Sequence, residues 1–161
     1  MKKLIALLLT IGIVGCSKEV PSDQLVKRGG LTYEINSQTR FNGASVSYFE
    51  SGQLKMKSSY KNGCLDGLHE AYYENGQLKE KRTYQDILDI PMFCSNDLDL
   101  EYGFYDGLHV SYYSNGQLKS KHNYKDGKED GLSETYDYKG RLESISCYKK
   151  MKEVDMSYCE K

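Results

Sequence analysis

The stretch DGLHVSYYSNGQLKSKHNYKDG, residues 106–127, decides the fold. At its centre Asn115-Gly116 is a dipeptide suited to a tight hairpin turn. About six residues on either side alternate in character, as strands do. Working outward, the same phrase returns as DGLHEAYYENGQLKEKRTYQD from Asp66, with looser copies from Asn42 and Asp130. The leading glycines, Gly43, Gly67, Gly107 and Gly131, step by 24, 40 and 24 residues. The middle step is one period plus a 16-residue insertion. Tyr48, Tyr72, Tyr112 and Tyr136 keep the same spacing, as do Gly52, Gly76, Gly116 and Gly140. Self-similarity at this period marks a repeat architecture. The expected fold class is all-β: an elongated, twisted antiparallel meander of stacked 24-residue hairpin repeats, preceded by an N-terminal signal helix.

A two-residue type I′ turn at Asn75-Gly76 sets a register that can be checked. It places Tyr73 opposite Leu78, Tyr72 opposite Lys79, Glu70 opposite Lys81 and Gly67 opposite Tyr84. Tyr73, Leu78 and Tyr84 then share one face, with Leu68 and Tyr72 on the other. A three-residue bulged loop would redistribute them. Tyr side chains and lysine stems are expected to supply much of the burial.

The units resemble the MORN (membrane occupation and recognition nexus) repeat variant, whose mark is G-x-x-x-x-Y-[YF]-x-x-G-Q-L-K. The resemblance covers roughly residues 42–149, and repeats two and three are nearly ideal. Leu25 to Arg28, Tyr33 and Phe41-Asn42-Gly43 are similar to the lead-in of bacterial members. Repeat four departs, with Asp137 at the second aromatic position and Arg141-Leu142-Glu143 for Gln-Leu-Lys. A polar terminal repeat suits a cap. The resemblance implies a β-repeat scaffold for binding and assembly, and some bacterial relatives are labelled antitoxins. A lipoprotein cannot neutralise a cytosolic toxin, so an immunity role in the envelope is the form such an alternative takes.

At the N-terminus Lys2 and Lys3 precede an apolar run, Leu4 to Val14, too short to cross a bilayer as a helix. It reads as a signal-peptide core. Ile13-Val14-Gly15-Cys16 resembles the lipobox of bacterial lipoproteins, which implies cleavage before Cys16 and acylation of that residue. The competing reading is an ordinary signal peptide with an incidental cysteine. Ser17 in place of Asp favours the outer membrane in a Gram-negative envelope. The expected organisation is a signal peptide at 1–15, a tether at 16–30, a repeat domain at 31–149 and a C-terminal strand or tail at 150–161. The repeats fall at about 42–63, 66–85, 106–127 and 130–149, with an insertion at 86–105. Cleavage removes two lysines and moves the formal net charge from −1 to −3. No basic stripe exists to neutralise phosphates, which argues against a nucleic-acid partner.

Cys64, Cys94, Cys147 and Cys159 remain after Cys16, and an exported protein sits where disulfides persist. Of three connectivities, Cys64–Cys94 with Cys147–Cys159 is the expected one, against free thiols. His109 lies opposite His122, half of a metal site at most, and with no third ligand evident no metal or cofactor is expected. The insertion mixes Asp86, Asp89, Asp97, Asp99 and Glu101 with Ile90, Met92 and Phe93. It reads equally as an edge cover or as a specificity element. No catalytic motif is present, and the carboxylates and tyrosines recur with the repeat. The expected protein is no enzyme. It is a lipid-anchored envelope module that binds a protein, peptide or glycan partner through Tyr73, Tyr113, Ile90, Met92 and Phe93.

Overall fold

The computed structural model describes residues 18–85 and 106–160. The expected signal helix, Cys16 and the whole insertion, with Ile90, Met92, Phe93 and Cys94, lie outside the described residues. Most of the described chain is strand: β1 (Glu19–Pro21), β2 (Leu25–Arg28), β3 (Leu31–Glu34), β4 (Gly43–Tyr48), β5 (Leu54–Lys61) and β6 (Cys64–Tyr72), then β7 (Leu78–Tyr84), β8 (Gly107–Tyr112), β9 (Leu118–Lys125), β10 (Lys128–Tyr136), β11 (Leu142–Lys149) and β12 (Lys152–Val154). Among the described residues, ten of these strands form one sheet in the order β1, β4 to β12, and β2 with β3 form a separate hairpin. The repeats are four successive hairpins, β4–β5, β6–β7, β8–β9 and β10–β11. Strand neighbours are thus sequence neighbours, because each hairpin pairs with the next.

Two features differ from the sequence-based expectation. The sheet is antiparallel except at one edge, where β1 pairs parallel with β4 and matches Val20 to Ser45. Residues 19–28, expected in the tether, therefore belong to the folded unit. Val20 is buried there, and Glu19 pairs with Lys57. The apolar residues of the lead-in explain the change: Phe41 and Leu31 are also buried, and they close this end of the sheet.

The turns are the second difference. The Tyr73 carbonyl accepts from Gly76 N at 2.9 Å, and Tyr73 N donates to the Gln77 carbonyl at 2.8 Å. Gly76 has φ +83°, whereas Asn75 is not left-handed. This is a three-residue loop ending in a glycine bulge, not a type I′ turn. The bulge shifts the register so that Tyr72, not Tyr73, lies opposite Leu78, while Glu70–Lys81 and Gly67–Tyr84 pair as expected. Two consecutive left-handed residues occur at the other end of the hairpins instead. They are Asn62-Gly63, Asp126-Gly127 and Lys150-Met151. The residue before three of the four leading glycines supports these turns: Asn42 accepts from Asn62 N, Asp106 from Asp126 N and Asp130 from Lys150 N.

The leading glycines are needed for backbone reasons. Gly131 has φ +118° at an irregularity between β9 and β10, and a Cβ there would sit 3.0 Å from Asn123 Cβ. Gly43 is the tightest case. Its φ is +145°, and a Cβ would lie 2.4 Å from the Lys18 carbonyl, which accepts from Ala44 N. Gly43→Ala is expected to cost about 2 kcal/mol and to release β1 from the sheet. Hydrogen exchange at the Ala44 amide checks this: unchanged protection would show that the edge does not depend on the glycine.

At the far edge β12 pairs with β11, and a short 3₁₀ turn at Met156–Tyr158 follows. Cys147, fully buried in β11, is joined to Cys159. Cys64 is also buried and disulfide-bonded. Its expected partner, Cys94, lies outside the described residues.

Candidate functional site

Repeat stacking accounts for most of the sequence signature. The Tyr73 hydroxyl donates to the Tyr112 carbonyl of the next repeat at 2.9 Å, and the Tyr113 hydroxyl donates to the Tyr136 carbonyl at 2.9 Å. Asn75 and Asn115 do the same with their amides, to the Ser114 and Tyr138 carbonyls at 2.8 and 3.0 Å. The glutamine of each G-Q-L-K reaches the next turn glycine: Gln53 at Gly76, Gln77 at Gly116 and Gln117 at Gly140. Every clamp points from a repeat to its successor. The 16-residue insertion leaves them intact, since the tyrosine bonds keep one length across separations of 39 and 23 residues.

Repeat four is followed by the short strand β12 and not directly by another hairpin, and its departures suit that position. Asp137, at the clamp tyrosine position, accepts from Arg141 N and Lys139 N of its own turn and pairs with the Arg141 guanidinium. These donors hold its carboxyl below the ordinary aspartate value. Tyr113→Phe removes one inter-repeat donor and leaves the Tyr136 carbonyl short of a partner. A loss of about 1 kcal/mol is expected in denaturant unfolding. The same change at the exposed Tyr138 is expected to be silent, and equal effects at both positions would refute the clamp.

The same residues line a groove. Lys55, Lys79 and Lys119 place their ammonium groups 5.7, 5.9 and 5.8 Å from the ring centres of Phe49, Tyr73 and Tyr113. Each G-Q-L-K lysine thus caps the second aromatic of its own repeat. A hollow of about 290 Å³ lies between the first two of these stations, floored by Met56 and Ala71. A second, of about 250 Å³, lies between repeats two and three, against Ser111 and His109. Both are lined by Tyr73 and Lys79, so they adjoin.

Beside the groove runs a polar row that crosses the sheet in register. It contains Ser45, Ser58, His69, Arg82, His109, His122 and Ser133. Ser58 Oγ meets His69 Nδ1 at 2.8 Å, and Ser133 Oγ meets His122 Nδ1 at 2.8 Å. Glu129 also reaches His122 Nδ1, at 2.9 Å. Arg82 Nε donates to His109 Nε2 at 3.2 Å, and its Nη2 pairs with Glu80 at 2.7 Å. Burial, then the Arg82 charge, pushes His109 down to about 4. His69 and Arg82 hold the Glu80 carboxyl at about 2, against the burial that opposes them.

Of the residues expected to bind a partner, Tyr73 and Tyr113 are the two described. Both are half-buried, with hydroxyls committed to the scaffold and rings bordered by lysine. Sequence reasoning passed over Phe49, Lys55, Lys79 and Lys119, although each recurs at a fixed place in the repeat. His109 and His122 do lie side by side, with ring centres 6.1 Å apart. No group of three or more His, Cys, Asp or Glu capable of holding a metal occurs among the described residues.

Residues 41–62, 65–86 and 105–126 each match the MORN repeat variant. No curated protein matches the sequence. Over these three stretches the chain is built of MORN repeat variants, and the fourth hairpin continues their pairing with a sequence fitted to the end of the array.

Proposed function

We propose that the protein is a lipid-anchored lipoprotein of the cell envelope. In this reading it carries no catalytic activity and binds a partner along the groove of its β-repeats. The observation that carries it is the joined pair of hollows between the aromatic–lysine stations of repeats one to three. Scaffold packing alone uses the tyrosine hydroxyls, the asparagines and the glutamines. Among the described residues it leaves three ammonium groups, Lys55, Lys79 and Lys119, at equivalent repeat positions without a carboxylate partner. Half-buried aromatic rings offer sizeable contact area at low entropy cost, which suits recognition. The anchor rests on Ile13-Val14-Gly15-Cys16, with the outer membrane favoured by Ser17.

Two measurements test the two halves. Cys16→Ser, or inhibition of the lipoprotein signal peptidase, is expected to leave an uncleaved or unlipidated chain that no longer fractionates with membranes. A mutant that stays in the membrane, with no lipid mass on the wild type, would remove the anchor. For binding, crosslinking from native membranes is expected to recover a partner from wild type and to lose it in a Lys79→Glu, Lys119→Glu double variant. Undiminished recovery would place the interface elsewhere. Recovery of a toxin encoded beside this gene would give the module an immunity role.

A further inference from the structure

The groove has a period, and the period restricts what fits it. Each repeat adds one hairpin, so successive stations are two strand spacings apart, ~9.6 Å. A polyproline II helix turns once every three residues and rises ~3.1 Å per residue, which brings equivalent side chains back to one face every ~9.3 Å. Its rings and bare backbone dock in aromatic-lined grooves. The first hollow offers such a lining in Phe49, Met56, Ala71 and Tyr73. Each station adds one ammonium beside its ring, at Lys55, Lys79 and Lys119. Two acidic groups also border the groove: Glu74 at its rim, and Glu80, which is already paired with Arg82.

The fourth repeat reverses both elements of the station. Asp137 stands where the aromatic would be and Glu143 where the lysine would be. An anionic ligand therefore meets three favourable stations and then an unfavourable one, which fixes both its length and its sign. We propose that the groove binds an extended peptide in polyproline II conformation that carries an acidic residue at every third position. Its carboxylates pair with Lys55, Lys79 and Lys119, and its prolines fill the hollows between. This rests on the groove being the binding surface and adds the class of ligand.

The test uses the full chain in detergent and a labelled nine-residue peptide, (Pro-Pro-Glu) three times over, read by fluorescence anisotropy. Binding is expected to be at least tenfold weaker with Lys79→Glu and unchanged with Lys152→Ala, a lysine on the far edge strand. It is also expected to be at least tenfold weaker for a peptide of the same composition with glutamate at every fourth position. Circular dichroism and unfolding of Lys79→Glu establish that the variant is folded. Absence of binding, or binding indifferent to glutamate spacing or to Lys79, overturns the proposal. A hyaluronan hexasaccharide that binds in a Lys79-dependent way while the peptide does not would also overturn it, yet would leave the groove as the interface. Loss of the groove itself is read separately, as native crosslinking that survives the double lysine variant.

Discussion

Lowering the pH from 7 to 4 is expected to remove about 2 kcal/mol of folding stability through His109 alone, after allowance for its partly exposed ring. The unfolded histidine takes up its proton near pH 6.5, whereas the native one holds out to about 4. Between those values the unfolded chain binds more protons, so stability falls as pH falls and levels off below 4. Glu80 extends the decline. Its ordinary value of 4.5 drops to about 2 in the fold, so its contribution is complete above pH 4.5 and is lost as pH falls through 2. Urea unfolding across this range should give one slope from 6.5 to 4 and a second below it. His109→Gln is expected to flatten the first and keep the second; an unaltered first slope would show that another group carries it.

The location of the change follows from the pairing. Strands β7 and β8 share two registered pairs, Glu80 with Ser111 and Lys81 with Val110, and the Arg82–His109 bond is next in line. A charged His109 can no longer accept from Arg82 and faces a like charge at close range. Exchange of the Ser111 and Val110 amides should therefore accelerate in acid before that of β5 or β10.

Loss of the Cys147–Cys159 bond is expected to cost about 3 kcal/mol, the loop-closure value for a segment of this size. The bond spans 12 residues and ties the last turn to a fully buried position in β11. What it holds down is slight: a three-residue β12, the Tyr158 hydroxyl bond to Asp130, and Lys149 over the Tyr158 ring at 4.8 Å. These contacts alone do not offset the entropy of ordering residues 152–160. Cys159→Ser isolates the effect from the disulfide at Cys64, which general reduction would also break. The variant should keep the repeat signal in circular dichroism while Val154 loses amide protection. An unfolding midpoint equal to that of the wild type would mean that the bond contributes nothing.

The succession of hairpins and the pairing of Glu70 with Lys81 were legible in the sequence because a 24-residue period is a long, redundant signal. The turn was not. Asn-Gly is the strongest short signal for a two-residue loop, but Asn75 and Asn115 are spent on the neighbouring repeat, a long-range demand that no local preference expresses. The edge strand Glu19–Pro21 was missed for a related reason: three residues ending in proline carry no strand pattern, and the partner at 44–46 supplies it. At the groove, Tyr73 and Tyr113 stood out by residue type. The lysines were hidden because the same positions suit an ordinary solvated face, and their alignment depends on the bulge that the turn introduces.

The forward-pointing clamps make the array a polymer with a direction and a terminator. Each unit hands donors to the one after it, and Asp137 with Arg141 closes the last set on itself. Such a chain can grow by internal duplication, because a copied middle unit finds a donor behind it and an acceptor ahead. It cannot grow by addition beyond repeat four without rewriting that repeat. Novelty enters at the opposite end of the hairpins, where β7 passes to β8 and 16 extra residues were accommodated at no cost to the clamps. One margin of the sheet holds the repeats together, and the other takes up added length.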